Sequence, residues 1–489
     1  MKIATPKHQT APEDRIPVPQ KIAYGTGQVS NIILALAIAN LAPFVLTVEL
    51  KVDAFLMGLA LGIPRLWDAF TDPVVGYWSD HTRSRWGRRK PFLLGGSIAV
   101  GVVLMLMWQL PEGWSDMAYF WFFLGMSLLY YLAYTVYATP FVALGYELTP
   151  DYHERTRLMG TMNFIGSMAS IPMAWLFAIT QWDIFEDGVQ GARVLAVVLG
   201  ASVILLSLIP VLLLRDPTKH RFRKREPEET RPGAKAKLKF FAGLKVTLAN
   251  RNFRLICFAT FTFFPGLILI QNFSSFLVIY YVYGGDNSGA SVLLGWSNSL
   301  SAFLGVVFIP LVTYMGTHLG KRKAYMICAG LALFGNLIKW WCYQPTMPYM
   351  NLIPGPFIGI GFAALWVLMS SMMADVCDED ELHTGERREG AYSAIFWWIV
   401  KLGLSASLAL SGLLLNATGF NEDLGADQTT HTFLLMRICD IVFPVGFIAL
   451  SIYFIHKFPL TEERSYEVKA QLEAKRGKAA FLHEDPAEA

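Results

Sequence analysis

The segment RLWDAFTDPVVGYWSDHTRSRWGRRKPF, residues 65–92, decides how the chain folds. Its first part is apolar apart from Arg65, Asp68 and Asp72, and its last part is strongly basic. An apolar helix followed by a basic loop is typical of a membrane span that ends on the cytoplasmic side. A charge inside such a span is unfavourable, so the two acids need a function or a partner.

The composition of the whole chain agrees with burial in a membrane. Of its 489 residues, 54% are hydrophobic and 16% are charged, against about 25% charged residues in soluble proteins. Runs of about 20 apolar residues cross a bilayer as helices. We therefore predict an all-α membrane protein with twelve transmembrane helices. The predicted spans are 24–49, 54–79, 91–110, 117–147, 158–181, 193–214, 253–283, 289–315, 323–343, 349–376, 389–418 and 432–457.

The basic residues are concentrated in alternate loops. The loop after the second span is basic, residues 215–252 hold twelve Lys or Arg against four acids, and Lys321, Arg322 and Lys323 follow the eighth span. The intervening loops are acidic or neutral. The positive-inside rule then places both termini in the cytoplasm. We expect a multi-pass protein of the plasma membrane, the inner membrane in a bacterium.

Two pairs of segments show that the chain repeats itself. GRRKPFLLGG at 87–96 resembles GKRKAYMICAG at 320–330, and ELTPDYHERTRLMG at 147–160 resembles EDELHTGERREGAY at 379–392. Both pairs are separated by a little over 230 residues. Two related six-helix halves are the architecture of major facilitator transporters. The predicted regions are a cytoplasmic N-terminal tail 1–23, an N-terminal half 24–214, a linker 215–252, a C-terminal half 253–457 and a cytoplasmic tail 458–489.

Other classes of protein lack support in the sequence. The first 22 residues have no apolar core of a cleavable signal, so the first span is expected to remain. The five cysteines are scattered without CxxC spacing, which argues against a disulfide framework or a zinc site. There is no GxSxG, HExxH or Walker A motif. We predict no catalytic residue, no cofactor, no nucleic-acid partner and a monomer in the lipid bilayer.

The acids of the second span share one helical face. Asp68 and Asp72 are four residues apart, with Arg65 and Thr71 beside them. One interpretation is a buried ion pair between Arg65 and one acid that fixes helix packing. The other is a cation site, because two carboxylates and a hydroxyl are hard oxygen ligands. Without a cation the two acids repel and one tends to hold a proton, so the same pair suits Na+ or H+.

Residues 68–92 resemble the signature of the glycoside–pentoside–hexuronide:cation symporter family. That signature is an Asp, three residues, Asp-Pro, and then a TRSRWG-(K/R)-x-K-P loop. YTVYATPFVAL at 134–144 and ADVCDEDELHTGERREGAYSAIFWWIVKLG at 374–403 match the family as well, as does YGTG at 24–27. The resemblance spans both halves. It implies a sodium-, lithium- or proton-coupled symporter of the major facilitator superfamily that works by alternating access.

The resemblance also implies which residues hold the cation. Carried over by position, they are Asp68, Thr71, Asp72 and Thr135. Lys401, inside the eleventh span, matches the family's lysine near the cation and is expected to pair with Asp68 or Asp72. The family often has Asn where this chain has Thr71, which makes protons more plausible as the coupling ion.

The substrate region departs from the family pattern. In the melibiose-permease branch two sugar-binding acids lie where this chain has Ile32 and Ala138. A sugar needs many hydrogen bonds, because unpaired polar groups in a pocket are unfavourable. The remaining candidates for the substrate site are polar or aromatic: Asn31, Thr139, Gln271, Asn272, Asn298, Trp397 and Trp398. The alternative for the amides is hydrogen bonding between helices.

The basic loop resembles a gating element of this superfamily. It comprises Asp80, Arg83, Arg85, Arg88, Arg89 and Lys90. These residues are candidates to pair with acids on other cytoplasmic loops, namely Asp375, Asp378, Glu379, Asp380 and Glu381. The alternative is that the loop only sets topology and touches anionic lipid. Because exposed pairs contribute only about 0–1 kcal/mol each, a gate needs several of them.

The predicted function is cation-coupled uptake of a small organic solute, a glycoside or related sugar. One alternative keeps the fold and transports a lysolipid or another amphipathic solute, since both sugar-binding acids are missing. A second alternative is a membrane sensor that does not transport.

Overall fold

A computed structural model of the chain describes residues 14–149, 151–214, 247–385 and 388–483. Every regular element within these ranges is a helix, as the composition predicts. The α-helices are α1 (Val18–Ala42), α2 (Ala54–His81), α3 (Lys90–Met107), α4 (Asp116–Glu147), α5 (Tyr152–Met173), α6 (Leu176–Thr180), α7 (Gly188–Leu213), α8 (Arg251–Phe276), α9 (Asn287–His318), α10 (Lys321–Cys342), α11 (Pro354–Ala364), α12 (Ser370–Thr384), α13 (Glu389–Ala417), α14 (Thr430–His456) and α15 (Glu462–His483).

Three π-helical stretches interrupt this pattern. They are Pro43–Glu49 after α1, Leu277–Val282 after α8 and Leu365–Met369 between α11 and α12. Such stretches widen a helix locally and are frequent at functional sites. The third one carries Trp366, which contacts a predicted substrate residue.

Helices lie at all twelve predicted spans. Nine helical segments in the described ranges are long and apolar enough to cross a membrane. Helix α2 is not among the nine, because Arg65, Asp68 and Asp72 interrupt its apolar sequence. The all-helical membrane fold is therefore confirmed, while the count of twelve crossings stays a prediction for α2, α5 and α8.

The chain forms two compact units. The first comprises Met1–Glu229, Gly285–Ser299 and Leu415–Gln428; the second comprises Thr230–Gly284, Leu300–Leu414 and Thr429–Ala489. The division into halves 24–214 and 253–457, joined by the linker 215–252, stays a prediction.

In the first unit, α2 packs against α4, and α4 also packs against α3. The approach of α3 to α4 is close because it occurs at a glycine: a Cβ on Gly96 would lie 2.7 Å from the backbone nitrogen of Tyr137. Buried aromatic residues of α4, Tyr137 and Phe141 among them, fill the space towards α1. This packing fixes the face of α4 that meets the acids of α2.

In the second unit, α8 and α10 pack against α14, and α10 packs against α11. A continuous apolar cluster, which includes Phe253, Tyr325, Met369 and Ile448, joins these helices. The N-terminal end of α10 follows Gly320, whose φ is +80°, and Gly87 before α3 has a φ of +100°. Both glycines occupy the same position of the sequence repeat, and positive φ is the conformation that glycine adopts without strain.

The tail from residue 458, which the sequence left open, is helical over Glu462–His483. Its apolar residues Val468 and Leu472 are one turn apart and buried. They anchor α15 against α12.

Candidate functional site

The predicted cation residues of α2 and α4 meet in the first unit. Asp68 is only 4% exposed, and the Thr135 hydroxyl donates to its Oδ1 at 2.7 Å. The Thr71 hydroxyl lies 3.3 Å from the Thr135 hydroxyl and donates to the Asp68 carbonyl at 3.2 Å. The Asp68 carboxylate and carbonyl and the hydroxyls of Thr71 and Thr135 thus form one connected group of oxygen atoms.

Asp72 lies one turn further along α2 and is half-buried. The Thr139 hydroxyl lies 3.5 Å from its Oδ1. This distance is long for a hydrogen bond between oxygens. Thr139, predicted as a substrate residue, therefore lies next to an acid of the cation group.

Arg65 lies on the same face of α2. Its guanidinium stacks over the Tyr131 ring at 4.7 Å and interacts electrostatically with Asp68. Tyr134, three residues beyond Tyr131, donates to Asn31 Oδ1 at 2.9 Å. The sequence predicted Arg65 as a charge partner, but it did not identify the tyrosines that hold it.

The amide of Asn31 has partners on both sides. It accepts from Tyr134 and donates to Gln28 Oε1 at 3.2 Å. The bond from Tyr134 is a hydrogen bond between helices, which was the alternative to lining a substrate pocket that the sequence left open. Asn31 is half-buried, so a role in binding substrate stays a prediction.

The oxygen atoms around Asp68 are suited to a small hard cation or a proton. A threonine oxygen offers lone pairs to a cation and an O–H to a carboxylate, so the same hydroxyl serves either state. Within the described part of the chain no group of three or more His, Cys, Asp and Glu is placed to hold a metal ion. The hydroxyls of Thr71 and Thr135 thus distinguish this group from a carboxylate-rich divalent site.

The predicted aromatic substrate residues lie in the second unit. The Trp397 ring stacks on Trp366 with centroids 5.7 Å apart, and Trp366 belongs to the π-helical stretch Leu365–Met369. Trp397 and Trp398 are 49% and 40% exposed. Trp366 was not identified from the sequence, although it stands in an equally apolar run.

The other predicted residues are more scattered. Asn298 is half-buried on α9 in the first unit, and Lys401 is half-buried on α13 in the second unit. The side chains of Gln271 and Asn272 lie outside the described residues. A common substrate pocket for these residues, and a pairing of Lys401 with the acids, stay predictions.

The basic loop is held by an acid that the sequence did not single out. Glu147, at the end of α4, accepts from Arg88 at 2.6 Å and from Arg89 at 2.8 Å, and Arg89 also pairs with Asp80. Arg89 is buried and donates to Ser79 at 2.5 Å. Arg83 and Arg85 are exposed, and Lys90 is half-buried.

The acids proposed as partners of the loop have contacts in their own unit. Asp375 pairs with Lys321 at 2.6 Å, and Asp380 with Arg388 at 3.6 Å. Glu379 accepts from Asn252 at 2.6 Å. The described pairs thus form within each unit.

A second charged group inside the apolar helices escaped the sequence analysis. Lys339 of α10 pairs with Asp440 of α14 at 2.5 Å, and both are buried. The Tyr343 hydroxyl donates to Asp440 at 2.7 Å, and Ser274 bridges Lys339 at 2.5 Å and Asp440 at 3.3 Å. The signal was available, because each charge stands within an apolar run.

Arg437 lies one turn before Asp440 on α14. Its guanidinium stacks over Trp340 at 4.5 Å and over Tyr281 at 5.3 Å, and it donates to the Trp340 carbonyl at 2.6 Å. Aromatic rings and a carbonyl stabilise a cation that would otherwise be poorly solvated among helices.

Comparison with known proteins gives one family. Residues 23–462 match the family described as MFS/sugar transport protein. The isoprimeverose transporter of Lactiplantibacillus pentosus is 24% identical, over 83% of this chain and 82% of its own length. The glucuronide carrier protein homolog of Escherichia coli is 24% identical, over 93% of this chain and 95% of its own.

A vertebrate relative and a solved structure complete the comparison. The sodium-dependent lysophosphatidylcholine symporter 1 of Gallus gallus is 24% identical, over 94% of this chain and 90% of its own length. The crystal structure of a bacterial homolog to the human lysosomal transporter Spinster superposes with a TM-score of 0.68. It is 16% identical and covers 92% of this chain and 98% of that one. At this identity the superposition shows the fold alone, which is that of a major facilitator.

Proposed function

This chain belongs to the MFS/sugar transport protein family, and we propose that it is a symporter that couples a cation gradient to uptake of a glycoside or related sugar. Relatives named as an isoprimeverose transporter, a glucuronide carrier homolog and symporters support this proposal. They match the chain along most of its length, across both halves of the predicted fold.

The observation that carries the proposal is the buried Asp68 carboxylate, which accepts from the Thr135 hydroxyl, itself in contact with the Thr71 hydroxyl. An ionised carboxylate among apolar helices is unfavourable until a cation or a proton neutralises it. Binding of the ion neutralises that charge. This lowers the free energy of the conformational change that exposes the site to the other side of the membrane. Asp72, one turn away, adds a second carboxylate that makes the empty site more negative and favours cation binding.

We propose Na+ or H+ as the coupling ion. The lysophosphatidylcholine symporter is named as sodium-dependent, and oxygen ligands suit that ion. Thr71 stands where the symporter family often has Asn, so it supplies a hydroxyl in place of an amide. This is the reason that H+ is proposed beside Na+. We further propose a monomer in a bacterial inner membrane with both termini cytoplasmic, on the alternation of basic loops.

The proposed solute site includes Trp397 and Trp398, since exposed aromatic rings stack on sugar rings. Ile32 and Ala138, where the sugar-binding acids are missing, favour a second candidate. An amphipathic solute needs fewer hydrogen bonds, and one relative is named for transporting a lysolipid. The two candidates differ in whether uptake depends on a polar headgroup alone or on an acyl chain as well.

Purified protein in liposomes tests the proposal. Uptake of a panel of glycosides and of lysophosphatidylcholine is followed under an imposed Na+ or H+ gradient, for the wild type and Asp72→Asn. Gradient-driven uptake of a glycoside that Asp72→Asn abolishes is expected. Uptake of the lysolipid alone would exclude the sugar, and uptake that is independent of both gradients would exclude symport.

A further inference from the structure

A cavity of about 840 Å³ lies within the second unit. It opens where α9 ends and α10 begins, and the start of α15 forms its far wall. We name it the α15 pocket. Its lining residues are Gly316, Thr317, Leu319, Gly320, Lys321, Arg322, Lys323, Met326, Met372, Asp375, His456, Leu460, Thr461, Glu462, Glu463, Ser465 and Tyr466.

One side of the α15 pocket is cationic. Lys321 pairs with Asp375 at 2.6 Å, and no acid among the described residues forms an ion pair with Arg322 or Lys323, the other two cations of this wall. Arg322 donates from one terminal nitrogen to the carbonyl of His456, while its Nε is buried without a hydrogen-bond partner in the described part of the chain. A buried guanidinium N–H without an acceptor is unfavourable.

The opposite side is anionic. Glu462 and Glu463 form the first turn of α15, and both line the cavity. Glu462 lies close to the cationic wall, because a Cβ placed on Gly320 would be 3.1 Å from its Oε2. The pocket thus has Arg322 and Lys323 on one side and Glu462 and Glu463 on the other.

Apolar side chains complete the lining. Leu319, Met326, Met372, Leu460 and Tyr466 surround the charged walls. The cavity lies at the ends of α9, α10 and α14, which is the level of lipid headgroups for helices that cross a bilayer. Basic pockets between transmembrane helices at this level bind lipid headgroups.

We propose that the α15 pocket binds the headgroup of an aminophospholipid, with the phosphate on Arg322 and Lys323 and the primary ammonium on Glu462 and Glu463. A ligand with one charge of each sign fits the two walls. A purely anionic headgroup would face the glutamates, and like charges repel. Phosphatidylethanolamine has the required groups, and its ammonium donates hydrogen bonds that a trimethylated choline lacks. The leaflet it occupies rests on the proposed cytoplasmic orientation of the termini.

Native mass spectrometry of the purified full-length protein measures this preference. Phosphatidylethanolamine, phosphatidylcholine and phosphatidylglycerol with identical acyl chains are offered together. The wild type is expected to bind phosphatidylethanolamine about tenfold more tightly than either other lipid, the effect of one charge-assisted hydrogen bond. Free phosphoethanolamine, added as a competitor, distinguishes recognition of the headgroup from recognition of the acyl chains.

Two double variants separate the walls. Glu462→Gln with Glu463→Gln is expected to remove the preference for phosphatidylethanolamine over phosphatidylglycerol. Arg322→Gln with Lys323→Gln is expected to weaken binding of all three lipids. If this double variant does not fold, Lys323→Gln alone is used in its place. Arg464→Gln with Glu467→Gln, an exposed pair on the same helix outside the pocket, is the matched control.

The proposal is overturned if the wild type binds the three lipids equally, because the protein then does not distinguish their headgroups. It is also overturned if phosphatidylglycerol is preferred and Lys323→Gln removes that preference, since the site is then simply basic. Binding that the two pocket variants and the control change equally would place the lipid elsewhere.

Discussion

Two buried carboxylates, Asp68 in the first unit and Asp440 in the second, lie inside apolar helices with different neighbours. The described hydrogen bond to the Asp68 side chain comes from the Thr135 hydroxyl, and Arg65 is turned towards Tyr131. Asp440 contacts the Lys339 ammonium directly at 2.5 Å and the Tyr343 hydroxyl at 2.7 Å. Asp68 thus accepts from a hydroxyl at 2.7 Å, whereas Asp440 contacts an ammonium at 2.5 Å.

We interpret this difference as one between the proposed ion site and a contact that holds helices together. Hydroxyls reorient at little cost, so the Thr135 hydroxyl can donate to Asp68 or turn its lone pairs to a bound cation. Lys339 already neutralises Asp440, and loss of that contact would leave a charge stranded in a low dielectric. The sequence shows an acid in an apolar run in both cases, and the neighbours decide its role.

The largest effect is expected at the second pair. Asp440→Asn leaves Lys339 buried without its counter-charge, which is expected to lower the stability of the protein by about 3–5 kcal/mol. Thermal unfolding in detergent, with folded yield, measures the loss. Asp440→Leu combined with Lys339→Met should recover most of it, because no unpaired charge remains. A double variant as unstable as Asp440→Asn would show that the pair does more than balance charge.

The reverse result is expected at the first carboxylate. Asp68→Asn removes the charge that a cation neutralises, so cation binding is expected to weaken about 100-fold, as for loss of a charged contact. The variant should unfold near the wild-type temperature. Isothermal titration with Na+, together with proton uptake at fixed Na+, measures the binding. Strong destabilisation with unchanged cation binding would make Asp68 resemble Asp440 and would refute the distinction.

A smaller effect is expected at the hydroxyl. Thr135→Val keeps the shape of the side chain but removes the oxygen 2.7 Å from Asp68. Cation affinity is expected to fall about tenfold, the effect of one polar contact. Thr135→Ser keeps the oxygen and is the matched control, so it should stay close to the wild type. Equal losses in Val and Ser would point to packing of the methyl group instead.

The smallest effect is expected at a third carboxylate, which lies outside the predicted spans. Glu154 pairs with Lys21 at 2.6 Å and with Arg157 at 3.1 Å, and accepts from the Ile16 N–H at 3.0 Å. Burial acts to raise the pKa of Glu154, but these three donors outweigh it and lower the pKa.

A lowered pKa in the folded state contributes stability above the unfolded value, about 4.3. That stability is lost as the pH falls through the folded pKa. Glu154→Gln should therefore be less stable than the wild type at pH 7, by about 1 kcal/mol or less, and the two should converge near pH 3. Melting curves at both pH values measure this. A stability difference between variant and wild type that is the same at both pH values would contradict this, since protonation of Glu154 would then have no effect on stability.

Much of the fold follows from local pattern. Long apolar runs predicted the helices, and the structure adds that two of the repeated segments begin at glycines with positive φ, Gly87 and Gly320. The π-helical stretch at Leu365–Met369 was not predicted, because an apolar run has the same composition whether its turns are α or π. The assignment of the short segments 285–299 and 415–428 to the first unit was also not predicted from the sequence.

The sequence determined that Asp68 and Asp72 share a face with Arg65 and Thr71, since positions three and four apart on a helix are neighbours. The family resemblance named Thr135 as a further residue of this site, but only the tertiary structure shows that its hydroxyl contacts Asp68. Thr135 is 67 residues from Asp68, and the partners of Asp440 and Glu147 are also distant from them in sequence. Helix periodicity fixes neighbours along one helix, whereas a contact between helices depends on how their faces pack, which no local pattern records.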